Sequence, residues 1–500
     1  MSSSPSNQQP APETPKRPPV SSLFWLGLTY LPLLARVSLT HSLNLSETSP
    51  YNSLRSALTV AFLRAYIAPK DGKPKPFSRV QARTLPDLPI KGRLWISQYT
   101  SPAPPERDAE SLKAALGKAI EALNNPDVPA PVIHVPDVAP VYGEWTGYRA
   151  DAKADESQPS MMSDREKYNH LVTEMKAPTT ILYFHGGAHA FMDPSTHRPT
   201  VKRLAKLTGG RAFSVQYRLV PQNAFPASLL DCLVAYLTLL YPPPGSFHDA
   251  VEPKHIVIAG DSAGGNLTMA LIQVIVDLNR LGEHITWHGE KRKIPIPAGA
   301  ACNSPWLDIA HSSLPYYGKT PEAFDYLGPP GNMGRKGIKP CAVWPADPPR
   351  KFMYAADDLM THPLVSPVMR RDWAGFPPVY FCAGWERLAY EDRFLAQKLQ
   401  RDGVTMVFEE YEAMPHCFAL VLTNLAEAKR CMASWAGFIR QAVKDPRGLA
   451  SSAVAISAKT LQETPLQFDD LCDVSDETFR KRVVETVAET KAWIPTNAKL

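Results

Sequence analysis

A chain of 500 residues with 44% hydrophobic and 21% charged side chains can bury a large core and lies in the range of ordinary globular proteins. The 54 basic and 49 acidic residues leave a net charge of only +5 without a basic run, which argues against a nucleic-acid partner. The seven cysteines are widely spaced and form no C-x-x-C, a pattern that argues against a disulfide framework and a zinc site and favours a reducing compartment.

The N-terminal region begins with a Ser/Pro/Gln-rich segment, residues 1–20, which we expect to be disordered. Residues 23–35 are almost wholly apolar, but this run is shorter than the roughly 20 residues of a spanning helix and lacks the features of a cleavable signal. Two interpretations stay open: a helix packed on the rest of the chain, or peripheral contact with a membrane surface through residues 21–40. The predicted location is the cytoplasm or the face of an internal membrane such as the endoplasmic reticulum, not the outside of the cell.

The next segments are predicted from their periodicity. Apolar residues at helical spacing between 54 and 65 predict a second helix, so residues 21–70 form a pair of N-terminal helices. Residues 71–175 are proline-rich and irregular, with a helix predicted over Ala109–Leu123 and a short strand over Val132–His134.

Strands and helices then alternate, which predicts a mostly parallel sheet with helices on both faces. The predicted strands are 181–184, 212–217, 255–259, 378–383 and 405–411, and the predicted helices are 199–208, 226–240, 265–281, 391–402 and 423–443. The alternation lapses at about 308–362, which we interpret as an insertion. The catalytic domain is therefore expected to span 71–445, followed by a polar extension, 446–500, with an amphipathic helix over Asp476–Trp493.

The stretch Gly260-Asp261-Ser262-Ala263-Gly264 has the form G-x-S-x-G and lies between a predicted strand and a predicted helix. In that context the glycines permit a tight turn that lifts the serine hydroxyl clear of the sheet. Ser262 would also lie at a helix N-terminus, where free N–H groups and the helix dipole stabilise an oxyanion. This context favours a nucleophile over a mere Gly-rich turn with a capping serine.

A second glycine-rich stretch, His185-Gly186-Gly187-Ala188, follows its own buried strand. Its N–H groups, together with that of Ala263, could form an oxyanion hole, in which a single donor typically contributes about 3 kcal/mol. Ala188 is acceptable there if its φ is negative, since only its N–H is needed. His185 is not assigned to catalysis.

A serine nucleophile needs a base, and the base needs an acid that orients it. In a sheet of this kind these residues follow later strands, in the order acid then histidine. Glu386 follows strand 378–383, and His416 follows strand 405–411. Four other carboxylates are less well placed, because they lie in the following helix or precede the required strand: Glu391, Asp392, Asp357 and Asp358.

These stretches resemble the hormone-sensitive-lipase group of α/β-hydrolases, which includes carboxylesterases and arylacetamide-deacetylase-like enzymes. The resemblance covers about residues 175–440 and rests on HGGA (185–188), THR (196–198), YRLVP (217–221), GDSAGGN (260–266), SPW-x-D (304–308), PLVSP (363–367) and MPHCF (414–418). It implies an α/β-hydrolase fold, a triad of Ser262, Glu386 and His416, and an oxyanion hole from Gly186, Gly187, Ala188 and Ala263. It also implies a helical cap from residues 21–70 and about 308–362 that shapes the substrate pocket.

The predicted function is hydrolysis of carboxylic esters with small acyl groups through an acyl-enzyme, with a small-molecule ester as the partner and no metal or cofactor required. Two alternatives stay open: an amide deacetylase or lipase that uses the same machinery, and a non-catalytic small-molecule receptor on a hydrolase scaffold. The oligomeric state is left open.

Overall fold

A ten-stranded sheet forms the centre of this computed structural model, which describes residues 20–67, 75–85, 88–126, 128–313, 323–328 and 338–492. In chain order the strands are β1 Trp95–Ser101, β2 Val141–Gly147, β3 Thr180–Phe184, β4 Arg211–Gln216, β5 Ile256–Asp261, β6 Gly299–Asn303, β7 Val379–Gly384, β8 Met406–Tyr411, β9 Ser452–Ile456 and β10 Glu463–Pro465. Their spatial order is β10-β9-β8-β7-β6-β5-β3-β4-β2-β1. The neighbours from β9 to β4 pair in parallel, and the outer pairs at both edges are antiparallel.

Helices cover both faces of the sheet. They are α1 Val20–Ser42, α2 Leu54–Ile67, α3 Phe77–Ala82, α4 Glu106–Ala122, α5 Asp164–Thr173, α6 Pro194–Thr208, α7 Ala227–Leu240, α8 Ala263–Arg280, α9 Ala389–Arg401, α10 Phe418–Val421, α11 Ala426–Lys444 and α12 Asp476–Glu489. Apolar side chains of α4, α7, α8 and α9 belong to one buried cluster, and those of α6, α10 and α11 belong to another. Because both faces are covered, β3, β5 and β7 are buried along their whole length, as their apolar runs predict.

The sheet order explains why the predicted site residues can meet. The segments after β3, β5, β7 and β8 all leave the same edge of the sheet, since these strands are parallel. These segments carry the glycine-rich stretch, the serine, the predicted acid and the predicted base. The predicted parallel α/β architecture is therefore confirmed.

Several elements differ from the sequence-based predictions. The strand predicted over Val132–His134 is wrong: that segment is irregular, and the strand begins at Val141 instead. Sequence patterns also did not reveal β1 and β6. The C-terminal extension is more than a polar tail, because Ser452–Ile456 pairs in parallel with β8 and continues the sheet.

The N-terminal segment forms two helices, whereas the described parts of the insertion are largely irregular. Helices α1 and α2 contact each other, and Tyr30 meets Phe62 edge to face. In its described parts the insertion contains a 3₁₀ turn, Asp357–Leu359. The predictions for residues 1–19, 68–70, 314–322, 329–337 and 493–500 fall outside the described residues. No helix in the described ranges combines the length and apolar character that crossing a membrane requires.

Candidate active site

Ser262 occupies a strained turn between β5 and α8. Its φ of 51° and ψ of −119° are rare for a residue with a side chain, and such strain must be over-determined by its surroundings. Here the Ser262 N–H donates to the Asn303 carbonyl at 3.0 Å, and the Ser262 carbonyl accepts from the Trp306 N–H at 3.0 Å. A Cβ at position 264 would lie 1.9 Å from the Phe184 carbonyl oxygen, so only glycine fits there. The turn is thus fixed from both sides.

Glu386 and His416 meet at the carboxyl ends of β7 and β8. The Glu386 carboxylate Oε2 contacts His416 Nδ1, and its Oε1 accepts from the Gly384 N–H at 3.2 Å. Both side chains are buried. Burial alone would lower the pKa of His416, but the charge and hydrogen bond of Glu386, followed by the charges of Asp325 and Asp261, outweigh burial and raise it. With Nδ1 engaged, Nε2 is the ring nitrogen left to exchange a proton with a substrate or a nucleophile.

The histidine turn abuts the nucleophile turn. Cys417 Sγ lies 3.4 Å from His416 Nε2 and 3.9 Å from Asp261 Oδ2. The Cys417 N–H also donates to Ser304 Oγ at 3.1 Å, and Ser304 is next to the residue that receives the Ser262 N–H. The Nε2 side of the imidazole therefore faces the turn that carries Ser262.

The glycine-rich stretch after β3 differs in two respects from the sequence-based prediction. The Gly186 N–H donates to Asp261 Oδ1 at 3.1 Å, so it is engaged and unavailable to an oxyanion in this arrangement. Ala188 has a φ of 54°, so the condition of a negative φ is not met, and a left-handed alanine costs roughly 1–2 kcal/mol. Gly187, at φ 111°, could not carry a Cβ, which would lie 2.2 Å from the Phe191 carbonyl oxygen. The N–H groups of Gly187, Ala188 and Ala263 remain as candidate oxyanion donors.

Asp261 holds this stretch in place, a role that sequence reasoning missed. Besides the Gly186 N–H, its Oδ1 accepts from the Tyr183 hydroxyl at 2.7 Å, and its carboxylate lies 3.3 Å from His197 Nε2. Burial would raise the pKa of Asp261, but the charge and hydrogen bond of His197 together with the Tyr183 hydrogen bond lower it. Conversely, Asp261 raises the pKa of His197 despite burial. The sequence contains both partners, His197 in the motif THR (196–198) and the acidic residue of GDSAG (260–264), but the contact between them was not predicted.

His185 serves the same stretch without facing the reacting atoms. Its ring stacks on Tyr217 with centroids 4.3 Å apart, its carbonyl accepts from the Tyr217 hydroxyl at 2.6 Å, and its Nδ1 lies 2.7 Å from the Gly186 carbonyl. Burial lowers the pKa of His185 to about 3, so the ring is neutral. These contacts match a histidine that orients the backbone.

The other carboxylates considered from the sequence have different contacts. Glu391 Oε1 accepts from the N–H groups of Leu307 and Asp308 at 2.6 and 3.1 Å. Asp357 accepts from the Lys351 N–H, and Asp358 accepts from the Val132 N–H. Asp392 is buried in α9. Of the five acids considered, Glu386 is the one that the structure places in hydrogen-bond contact with the His416 ring.

Aromatic rings pack near the Ser262 turn and the His416 ring. His189 stacks on Tyr354 with ring centroids 3.7 Å apart, and Trp306, whose backbone N–H binds the Ser262 carbonyl, has its ring 6.0 Å from the His189 ring. Tyr326, from the insertion, meets the His416 ring edge to face at 6.1 Å. Aromatic side chains of this kind commonly line sites for small molecules.

Comparison with known proteins agrees with the fold. A family model described as "alpha/beta hydrolase fold" matches residues 181–420. An acetyl-hydrolase of Streptomyces hygroscopicus is 29% identical over 264 residues, which are 53% of this chain and 76% of that protein. The carboxylesterase/phospholipase LipF of Mycobacterium tuberculosis is 27% identical over 298 residues, 58% of this chain and 71% of that protein.

Two further similarities cover different shares of the chain. Human arylacetamide deacetylase-like 3 is 35% identical over 99 residues, 19% of this chain and 23% of that protein. The crystal structure of an esterase from the bacterial hormone-sensitive lipase family aligns with 82% of this chain and 98% of its own, with 21% identity and a TM-score of 0.45.

Proposed function

We propose that this chain is a carboxylic ester hydrolase of the hormone-sensitive-lipase-like group of α/β-hydrolases and that Ser262, Glu386 and His416 are its catalytic triad. The observation that carries the proposal is the contact between Glu386 Oε2 and His416 Nδ1, which leaves Nε2, 3.4 Å from Cys417 Sγ, as the ring nitrogen that can serve Ser262. A buried, ionised acid at Nδ1 fixes the tautomer that can accept a proton at Nε2.

The reaction begins when His416 Nε2 takes the proton of Ser262 Oγ as that oxygen attacks the ester carbonyl carbon. The resulting oxyanion accepts hydrogen bonds from the N–H groups of Gly187, Ala188 and Ala263. When the intermediate collapses, the C–O bond to the alcohol breaks and the proton on Nε2 goes to the leaving oxygen. Water, deprotonated at the same nitrogen, then attacks the acyl-enzyme, and Ser262 leaves as a neutral hydroxyl. Glu386 stays ionised and stabilises the imidazolium that forms twice in the cycle.

We infer that the acyl group is small. The acetyl-hydrolase among the relatives supports this inference by its name, and so do the rings of Trp306, His189 and Tyr354 packed beside the Ser262 turn. Esters of p-nitrophenol with acetyl, butyryl and octanoyl groups test it, and kcat/KM should be highest for one of the two shorter chains. A maximum at octanoyl would contradict it. The anilide of acetic acid, 4-nitroacetanilide, measures the amide alternative with the same leaving chromophore.

The role of Ser262 is tested by Ser262→Ala. Loss of a serine nucleophile typically lowers kcat by about 10⁶-fold, so hydrolysis should fall to background and labelling by a fluorophosphonate probe should stop. Ser42→Ala, at an exposed position on α1, is the matched control and should keep both signals. A wild-type chain that binds esters without turnover would instead indicate a receptor.

We also propose that α1 makes peripheral contact with the face of an internal membrane. The support is a set of leucines with exposed fractions of 58–74%, near the exposed cations Arg36 and Arg55: Leu31, Leu39, Leu43 and Leu45. The seven free thiols support a reducing compartment on the cytoplasmic side.

Vesicle flotation tests this contact. The combined variant Leu31→Ser, Leu39→Ser and Leu43→Ser should no longer float with vesicles that contain phosphatidylserine. Leu281→Ser, at a leucine 50% exposed elsewhere on the surface, should float like the wild type. Equal flotation of both variants, or no flotation of the wild type, would contradict the proposal.

A further inference from the structure

Asp325, in the insertion, lies between the acid turn and the histidine turn. It belongs to the described segment 323–328, and its side chain is 2% exposed. Its Oδ2 accepts from the N–H of Arg387, the residue after the proposed acid, at 2.8 Å. Its Oδ1 accepts from the N–H of His416 at 3.2 Å. One buried carboxylate thus binds the backbone of both turns, although β7 and β8 supply those turns separately.

The backbone of Asp325 is held in turn by the N-terminal helix α2. Arg64 Nε donates to the Asp325 carbonyl at 2.9 Å, and its Nη2 donates to the Ala323 carbonyl at 2.9 Å and also contacts the Asp325 carbonyl. Arg387 Nε binds the Leu327 carbonyl at 2.9 Å from the opposite side. Because a guanidinium offers several donors in a fixed plane, Arg64 defines the path of this backbone more strictly than one hydrogen bond would.

Three aromatic rings pack together where the N-terminal segment, the insertion and the acid turn meet. Tyr51, which precedes α2, meets Phe324 at 5.5 Å and Trp385 at 5.4 Å, and Phe324 meets Trp385 at 5.6 Å, all edge to face. Phe324 adjoins Asp325 and is buried, and Trp385 adjoins Glu386. The N-terminal segment, the insertion and the acid turn therefore pack as one unit around the carboxylate.

We propose that Asp325 is a positioning residue that fixes the turns of Glu386 and His416 against each other, and that Arg64 holds it there, so that the N-terminal helix α2 contributes to turnover without touching the substrate. This inference rests on the proposed triad. It assigns a role in catalysis to a carboxylate of the insertion and to an arginine of an N-terminal helix.

Asp325 also acts on the base through its charge. The groups that face His416 are Glu386 from the acid turn, Asp325 and the Tyr326 phenol from the insertion, Asp261 from the nucleophile turn and the Cys417 thiol. Among the carboxylates, the charge of Asp325 contributes after that of Glu386 to the raised pKa of His416. Removal of that charge should lower the pKa of His416 and move the acid limb of the kcat/KM profile to lower pH, a change that lost packing alone would not produce.

The test is Asp325→Asn in the full-length chain with p-nitrophenyl butyrate. The amide places a donor where the carboxylate accepted, which displaces one of the two turns. We expect kcat to fall about 10- to 100-fold, the usual result of misplacing a catalytic group by a fraction of an ångström to 1 Å, with KM within twofold and the acid limb at lower pH. Asp358→Asn, at an exposed acid of the same insertion, is the matched control and should match the wild type.

A second variant covers the case in which Asp325→Asn does not fold. Arg64→Gln leaves the buried carboxylate intact and removes the guanidinium, and we expect a fall in kcat of about three- to tenfold, with KM unchanged, from looser positioning. If both variants keep kcat within twofold of the wild type, or if Asp325→Asn lowers kcat without moving the acid limb, the inference is overturned. His416→Ala in the same assay tests the proposed triad separately. Wild-type rates in that variant would refute the triad, independently of the results for Asp325.

Discussion

Two buried carboxylates hold the proposed site in different ways. Asp261, at the end of β5, lies on what we call the sheet side, and Asp325, in the insertion, lies on what we call the cap side. Asp261, next to Ser262, binds Tyr183, the Gly186 N–H and His197, all of which belong to β3, the stretch after it, or α6. Asp325 binds the N–H groups of His416 and Arg387 and depends on Arg64 from a helix 261 residues away in sequence. On the sheet side Asp261 thus holds the oxyanion stretch through β3 and α6, whereas on the cap side Asp325 links the turns of the acid and the base to α2. Loss of each should therefore produce a different kinetic defect.

After Ser262→Ala, the largest loss of kcat is expected where the two sides meet, at Glu386. Glu386→Gln leaves the geometry nearly unchanged but removes the charge that fixes the His416 tautomer, and a change of this kind in a triad lowers kcat by about 10⁴-fold. Glu391→Gln is the matched control, because Glu391 binds the N–H groups of Leu307 and Asp308 instead of the base. Steady-state kinetics on p-nitrophenyl butyrate would compare them, and equal losses would contradict the choice of Glu386.

The next largest effect is expected at Asp261, and it distinguishes the role of Asp261 from that of Asp325. Asp261→Asn should release the Gly186 N–H and shift the oxyanion stretch, with a fall in kcat of about 10²-fold, comparable to loss of one oxyanion donor. Because the defect lies in oxyanion stabilisation, a boronic acid that mimics the tetrahedral intermediate should bind less tightly by a similar factor. For Asp325→Asn, in contrast, the fold-loss of boronate affinity should be much smaller than the fold-loss of kcat. Equal losses of boronate affinity in both variants would erase the distinction.

The pH profile gives a third, smaller contrast. Burial lowers the pKa of His416, but Glu386, then Asp325, then Asp261 outweigh it, so the pKa is raised above the ordinary value of 6.5. A base must be neutral to accept a proton, so activity is lost as pH falls through that raised pKa. The acid limb of kcat/KM should therefore lie above pH 6.5. Asp325→Asn should move it further toward lower pH than Asp261→Asn, and the reverse order would contradict this ranking of the charges.

The sequence predicts the sheet side better than the cap side, for a physical reason. Ser262, Glu386 and His416 each follow a buried apolar strand, and parallel strands bring their carboxyl ends to one edge whatever the loops do. Asp325 comes from a segment without periodicity, and its partners in the acid turn, the histidine turn and α2 lie 62 to 261 residues away, so no local pattern reveals these contacts. The same limit applies to β9, a short strand of small residues that pairs at the end of the sheet.

Backbone conformation within a motif was equally hidden. The pattern HGGA predicts a turn, but it does not show that the Gly186 N–H is already engaged or that Ala188 takes a left-handed conformation. Both facts depend on Asp261 and on the Phe191 carbonyl, which folds back over Gly187. The identity of a turn is therefore readable from sequence, whereas the assignment of its N–H groups is not.

The smallest expected effect comes from the backbone strain at Ala188, and it is measured as a change in the free energy of unfolding. Ala188→Gly relieves a left-handed φ of 54°, worth roughly 1–2 kcal/mol, but makes the unfolded chain more flexible by roughly 0.4–1 kcal/mol. We expect the free energy of unfolding in urea to rise by up to about 1 kcal/mol, the difference of these terms. Ala190→Gly, at a buried alanine of the same stretch without a positive φ, should lower it instead, since it relieves no strain and loses a packed methyl group. If both variants were destabilised alike, the contacts of Ala188 would outweigh its strain, and the sheet side would carry no stored energy at that position.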